Sequence, residues 1–280
     1  MLKKITFLAL ASIAVMSSQA QTDTTKQPAP AGDTVRIGNI IILKNGGTEP
    51  TDNDRNVTIN INTNRKKSSS KVTNWGIVDI GFNNFIDNTN YASAEAQAFA
   101  PGSSEDWFNL RNGKSVNVNI WIFTQRLNLI QHYVNFKYGV GIELYNFRFE
   151  EDIRFRKGPA RIELDNEINY SKNKLAADYL TVPVMLDFNF TPNKEYNKSF
   201  GISAGVSGSY LYASRQKYKS GETGKEKTKG NIGLRDFKLA YVAEVQLGPV
   251  KLYGSYATES IYKKGLDHIP YSVGLRLSNW

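Results

Sequence analysis

Eight stretches of every-other-residue hydrophobicity run from about Trp75 to the C-terminal region, each with one uncharged face and one face that holds the charges. Successive side chains of a strand point to opposite faces, so each stretch reads as a strand with two different surroundings. The clearest is Val134 to Leu144. Val134, Phe136, Tyr138, Val140, Ile142 and Leu144 alternate there with Asn135, Lys137, Gly139, Gly141 and Glu143. A closed sheet in a bilayer needs this pattern, apolar outward and polar inward. The expected fold class is therefore all-β: an eight-stranded antiparallel transmembrane β-barrel behind a mostly disordered N-terminal extension.

Composition conceals this. A hydrophobic content of 40% and a mean hydropathy of −0.42 would suit a soluble protein, because a barrel needs apolar residues only at alternate positions. No run approaches the roughly 20 apolar residues of a spanning helix. Lys3 and Lys4 followed by an apolar run from Ile5 to Met16, with Ser18-Gln19-Ala20 as a small-x-small site, read as a cleaved export signal over residues 1–20. Absence of cysteine excludes disulfides and thiol catalysis. The basic balance of +9 has a local origin in the loops and gives no reason to invoke nucleic acid.

Residues 21–73 are expected to form a periplasmic extension. It comprises a polar, proline-containing linker to about residue 33, a small hairpin from Val35 to Leu43 and Val57 to Asn62, and a basic spacer at Arg65, Lys66 and Lys67. The barrel domain follows at 74–280, with strands near 75–83, 115–125, 133–147, 179–190, 200–212, 237–247, 250–258 and 270–278. Short connections alternate with long ones, as short periplasmic turns and long external loops require. Both termini then lie in the periplasm, and the protein in the outer membrane.

The expected lipid face includes Val78, Ile80 and Phe82, then Val116, Val118, Ile120 and Ile122, Val182 to Phe188 at alternate positions, and Val273, Leu275 and Leu277. It carries no charge. The opposite face holds Asp79, Lys137, Glu143, Asp187, Lys238, Glu244, Lys251 and Arg276, four acids against four bases. Eight strands leave room inside only for side chains, so these groups are expected to pair as a structural network. A soluble barrel would reverse the faces. Gly and Ser crowding the charged face argue against that, since a solvent face does not need small residues. Pro183, which lacks a ladder N–H, predicts a bulge or register adjustment.

Trp75-Gly-Ile-Val-Asp-Ile-Gly-Phe82, Tyr179-Leu-Thr-Val-Pro-Val-Met-Leu186, Ala204-Gly-Val-Ser-Gly-Ser-Tyr210 and Tyr271-Ser-Val-Gly-Leu-Arg-Leu277 resemble the PorT-like outer-membrane β-barrel proteins of Bacteroidetes. The resemblance spans roughly 75–280 and implies fold and location, with little about activity. Such barrels usually end in an aromatic residue in phase with the lipid face, which the barrel-assembly machinery reads. Trp280 departs from that phase.

Little in the chain points to catalysis. Its two histidines, His132 in a periplasmic turn and His268 in an external loop beside Asp267, fall at opposite ends of the barrel. Glu150-Glu151-Asp152 lacks the spaced, Gly-turned loop of a calcium site. No catalytic residue, metal or cofactor is therefore assigned. Between about 213 and 236, Arg215, Lys217, Lys219, Lys225, Lys227, Lys229 and Arg235 outnumber Glu222, Glu226 and Asp236. Two readings are open: contact with lipopolysaccharide phosphates, chiefly through Arg215, Lys217, Lys219, Lys225, Lys227 and Lys229, or a solvated charged loop. Apolar residues within 148–178 suggest strands above the membrane and a surface for an unknown protein partner. The expected function is noncatalytic, structural or surface-interacting through long external loops. A small-solute pore is the runner-up, and a lipid- or peptide-processing enzyme comes third.

Overall fold

The computed structural model describes the backbone of strands at 34–37, 40–43 and 59–61, and residues 70–194 and 198–277. The chain divides into two compact units, Met1–Ser68 and Ser69–Trp280. In the first, β1 (Thr34–Ile37), β2 (Ile40–Leu43) and β3 (Ile59–Ile61) form an antiparallel sheet in that order. The run expected as one strand from Val35 to Leu43 is instead two paired strands, with Ile37 opposite Ile40. The leader, the linker before residue 34, the spacer at Arg65 to Lys67 and Trp280 lie outside the described residues.

The second unit is the barrel. Its ring strands are β4 (Lys71–Asp87), β5 (Val116–Ile130), β6 (Val134–Arg148), β9 (Tyr170–Asn189), β10 (Phe200–Ser220), β12 (Phe237–Leu247), β13 (Val250–Ala257) and β14 (His268–Leu277). Each pairs antiparallel with the next, and β14 returns to β4 with Arg276 opposite Asp79 and Val273 opposite Phe82. Closure pairs every ring strand on both sides and leaves no edge in the ring. Short turns after β5, β9 and β12 gather at one end, the turn end. The long connections gather at the other, the loop end.

Side-chain exposure follows the alternation. Ile80, Phe82, Ile120, Ile122, Val182, Val184, Leu186, Phe188, Leu239, Leu252, Val273, Leu275 and Leu277 all point outward and stand exposed, while Asp79, Asn119, Glu143, Ser203 and Arg276 are buried inside. Such a continuous exposed apolar band is costly in water and favourable against lipid. The phase reverses in three strands: at register shifts around Ile122 in β5 and Tyr212 in β10, and at Gly76 in β4. Trp75 is 66% exposed and Ile77 2%, because Gly76, at φ +65°, turns the strand in a conformation that side-chain-bearing residues rarely adopt.

Pro183 makes no bulge. The β6–β9 register is the same on both sides of it, Tyr138 opposite Val184 and Gly141 opposite Thr181, with the intervening pairings missing. The lost N–H is absorbed as a gap in one ladder, while pairing to β10 continues through Ser207 opposite Pro183. Register shifts lie elsewhere, among them one between Trp121 and Phe123 on the β5–β6 ladder and one between Leu211 and Ala213 on the β9–β10 ladder.

β9 and β10 run for 20 and 21 residues, about twice the 9–11 that cross a bilayer. Their upper halves rise past the apolar band at the loop end, where β11 (Gly224–Lys229) extends the sheet from β10 and a hairpin of β7 (Ile153–Arg156) and β8 (Arg161–Leu164) folds back. The region after Ala213, expected as a loop, is thus largely strand. A short helix α1 (Ala94–Phe99) is capped by Ser93, whose hydroxyl accepts from the Ala96 N–H.

Candidate functional site

Inside the barrel, Arg276 is the hub. Its Nε donates to Asp79 Oδ1 at 2.7 Å, one Nη to Asp79 Oδ2 at 2.9 Å and the other to Glu244 Oε1 at 2.6 Å. Glu244 also takes an ion pair from Lys137. Trp121 Nε1 donates to Asp79 Oδ2 at 2.6 Å, so the Asp79 carboxylate is held by a planar guanidinium fork and an indole. Nearer the loop end, Lys238 pairs with Glu143 and donates to Tyr145 Oη at 3.1 Å, its Nζ 4.4 Å from the Tyr145 ring centre. Asp187 accepts from Ser203 Oγ at 2.8 Å and Asn135 Nδ2 at 3.0 Å, with Arg126 at 3.6 Å.

Small residues make this packing possible. A Cβ on Gly81 would lie 2.6 Å from Tyr253 Oη, and one on Gly274 would lie 2.7 Å from the same ring. Tyr253 uses that space to donate to Asn117 Oδ1 at 2.6 Å. Of the eight charges singled out in the sequence, the structure joins Asp79, Arg276, Glu244 and Lys137 into one chain and Lys238 with Glu143 into a second, and places Asp187 and Lys251 on the wall of a cavity. That cavity, of about 420 Å³, opens at the turn end and is also lined by Arg126, Lys137, Glu244 and Arg276. The interior is therefore packed in its upper part and hollow below. Arg126 escaped the sequence reading because β5 continues to Ile130, past its expected end, and because the register shift at Ile122 turns position 126 from the lipid phase to the interior.

The loop end is closed by an apolar core. Phe99, Phe108, Leu110, Phe147, Phe149, Ile153, Phe155, Ile162, Leu175, Ile232, Leu234 and Tyr262 are all buried in one cluster over the barrel mouth. Polar clamps fasten the β7–β8 hairpin to the inner faces of β9 and β10. The Gln216 side chain donates to the Ile153 carbonyl at 2.7 Å and accepts from the Phe155 N–H at 2.9 Å, and Asn173 Nδ2 donates to the Ile153 carbonyl at 2.7 Å. Asp165 accepts from Tyr170 Oη at 2.5 Å and from Arg154 at 3.4 Å. Burial alone would raise its carboxyl. The Tyr170 hydroxyl, the Glu167 and Ile168 N–H groups and the Arg154 charge instead hold it below the usual carboxylate range.

His268 is part of this core. It is fully buried, stacked on Phe85 at 4.2 Å, with Nε2 3.3 Å from both Asp87 Oδ2 and Tyr91 Oη. Its partner is thus Asp87 of the adjacent strand, and not Asp267 as adjacency in sequence suggests. Ser260 Oγ accepts from the His268 backbone N–H at 3.1 Å and donates to the Leu266 carbonyl at 2.8 Å, which occupies it as a turn fastener. His132 lies in the tight turn after β5 at φ +63°, at the opposite end. Among the described residues no three His, Cys, Asp or Glu groups gather as metal ligands.

The basic segment becomes an ordered face. Arg148, Lys174, Lys217 and Lys227 stand directly opposite one another across β6, β9, β10 and β11. The next row brings Lys172, Lys219 and Lys225 together in the same way. These positions alternate with buried Asn173, Leu175, Gln216 and Tyr218, so the cations point outward. Burial, then the charges of Lys172, Lys217, Arg215 and Arg148, depresses the Lys174 ammonium to about 8. Arg148, Lys172 and Lys174 escaped the sequence reading because they lie far from the basic segment along the chain. Only the strand register brings them to it.

The family model described as outer membrane protein beta-barrel domain matches residues 55–258. The chain belongs to that family. This outer-membrane barrel therefore resides where its apolar band indicates. No curated protein matches it significantly. Among solved structures it is similar to Ail, the attachment invasion locus protein of Yersinia pestis, at 15% identity, covering 72% of this chain and 99% of that one. The TM-score is 0.27 for Ail in complex with the heparin analogue sucrose octasulfate and 0.26 for Ail alone.

Proposed function

We propose that this protein is a noncatalytic outer-membrane barrel, closed to solutes, that acts through its folded loop end as a surface for interaction. The observation that carries the reading is the loop-end core: residues of four separate connections bury Phe108, Phe149, Phe155, Ile232 and Tyr262 together over the barrel mouth. A pore would have no use for a sealed mouth, and the ion-paired lumen beneath it further narrows any path. His268 supports the noncatalytic reading, since its ring lies within that core against Asp87 and Tyr91, away from any solvent-facing cleft. Within the family we assign the chain to the PorT-like branch on its strand sequences, with residues 1–20 as the export signal and a Gram-negative envelope as its setting.

On this reading the turn end and both termini face the periplasm and the loop end faces outward, as long external loops require. The natural chain has no cysteine, so single substitutions report cleanly. Lys157→Cys, in the exposed β7–β8 turn, reacts with a membrane-impermeant maleimide on intact cells, whereas Thr191→Cys, in a turn-end connection, reacts only after the outer membrane is opened. The reverse pattern would overturn the orientation and with it the surface role.

A further inference from the structure

We propose that the outward face of the β6–β9–β10–β11 extension binds a polyanionic saccharide, the phosphate-bearing sugars of the surrounding lipopolysaccharide. The proposal rests on the loop end being the exposed surface, and it deepens that reading by naming the ligand chemistry.

Like charges directly opposite on paired strands are destabilising. A strand face that needs only to be wet avoids them by mixing signs. On the adjacent β7–β8 hairpin, where Arg156 does stand opposite Arg161, Glu163 takes both of them, and Arg154 lies opposite Glu163 and meets Asp165. The cationic face does the opposite. Arg148, Lys174, Lys217 and Lys227 follow one another across three ladders, and the row above repeats the arrangement. No acid holds an outward position in either row. Asp178, an outward acid closer to the membrane, is already paired with Arg215, and the exposed Glu150 lies two residues past Arg148, beyond the end of β6.

Neighbouring strands lie about 4.8 Å apart, so the four cations of one row form a line of positive charge roughly 14 Å long. A second line runs parallel to it. A single small anion would leave most of that field unanswered, whereas a chain of linked anionic groups meets it along its length. A groove of about 610 Å³ beside the rows gives such a chain a bed: Arg215, Lys217, Lys227 and Lys229 line it, together with Lys263, whose charge is met by Asp236 on the same wall. The position fits sugars and not lipid. Lys217 stands five residues beyond Tyr212, the last exposed aromatic of the β10 apolar band, placing the row roughly 16 Å further along the strand.

The test uses full-length protein in phosphatidylcholine nanodiscs and purified lipopolysaccharide as the probe, intact or stripped of its phosphates. The unmodified protein binds the intact form at least tenfold more tightly than the stripped form, and added salt weakens the binding. Lys174→Gln/Lys217→Gln/Lys227→Gln loses at least tenfold in affinity. Lys114→Gln/Lys157→Gln/Lys264→Gln, which removes the same charge from exposed sites elsewhere on the loop end, changes it by less than twofold. Because the ladder triple relieves repulsion, its midpoint of unfolding stays or rises, which separates lost contact from lost fold. Equal losses in the two triples, or equal affinity for stripped lipopolysaccharide, would overturn the proposal. So would failure of the unmodified protein to bind. Such failures leave the surface reading standing if the maleimide pattern holds, whereas reversed labelling removes that reading whatever the binding result.

Discussion

Arg276 on β14 and Asp79 on β4 face each other across the ladder that closes the barrel, joined by two parallel hydrogen bonds of 2.7 and 2.9 Å with both side chains out of solvent. The closing seam is thus locked by a planar, bidentate pair, a geometry that Lys cannot reproduce. Removing one partner leaves the other charged and buried. Arg276→Met or Asp79→Leu alone is expected to destabilise the barrel by about 3–5 kcal/mol, while the double replacement by apolar residues recovers most of that. Urea unfolding of detergent-solubilised protein, followed by heat-modifiable gel migration, measures both.

The glycines beneath Tyr253 give a sharper steric prediction. Gly81→Val forces a branched side chain into space where even a Cβ meets Tyr253 Oη at 2.6 Å and Gly274 Cα at 2.7 Å, and it is expected to block assembly of the folded barrel. Gly208→Ala, with nothing within 4 Å, is expected to assemble normally. Recovery of heat-modifiable protein from the membrane fraction compares the two.

Val184, exposed at the centre of the β9 apolar band, tests the lipid face. Val184→Arg is expected to cost about 2–4 kcal/mol at mid-depth, read as a lowered unfolding midpoint in lipid vesicles. An unchanged midpoint together with water-accessible labelling of a cysteine at 184 would reverse the face assignment.

Much of this architecture is legible in the sequence because a period of two reports directly on which face each residue takes. Asp79, Glu143, Lys238 and Arg276 were identifiable from phase alone. Phase says nothing about which strands become neighbours above the membrane, so Lys174 could not be joined to Lys217, nor His268 to Asp87. The sealed mouth was hidden for a related reason. Phe108, Ile232 and Tyr262 come from irregular segments with no periodicity, and they form a core only once the barrel brings their anchors together.

Lys174 provides the pH dependence. Burial and neighbouring cations lower its ammonium to about 8 from an ordinary 10.5, so between these values the unfolded chain holds more protons than the folded one. Stability of the loop end therefore rises as pH increases from about 8 towards 10.5, and Lys174→Gln is expected to remove that component. Hydrogen exchange of β9 and β10 amides, corrected for intrinsic rates and compared between the two proteins over this range, isolates the effect from other titrating groups.

Phe155 and Phe108 hold the loop-end core, and truncating either to Ala is expected to cost about 3–5 kcal/mol locally. Limited proteolysis would then cut the β7–β8 hairpin while the membrane-embedded strands remain intact.

A closed barrel is the claim on which the surface role depends, and planar-bilayer recording tests it most directly. Purified full-length protein is expected to give little or no conductance across a range of voltages, with small openings appearing in Phe108→Ala/Phe155→Ala. Steady, large single-channel currents from the unmodified protein would contradict the account and make solute passage its function.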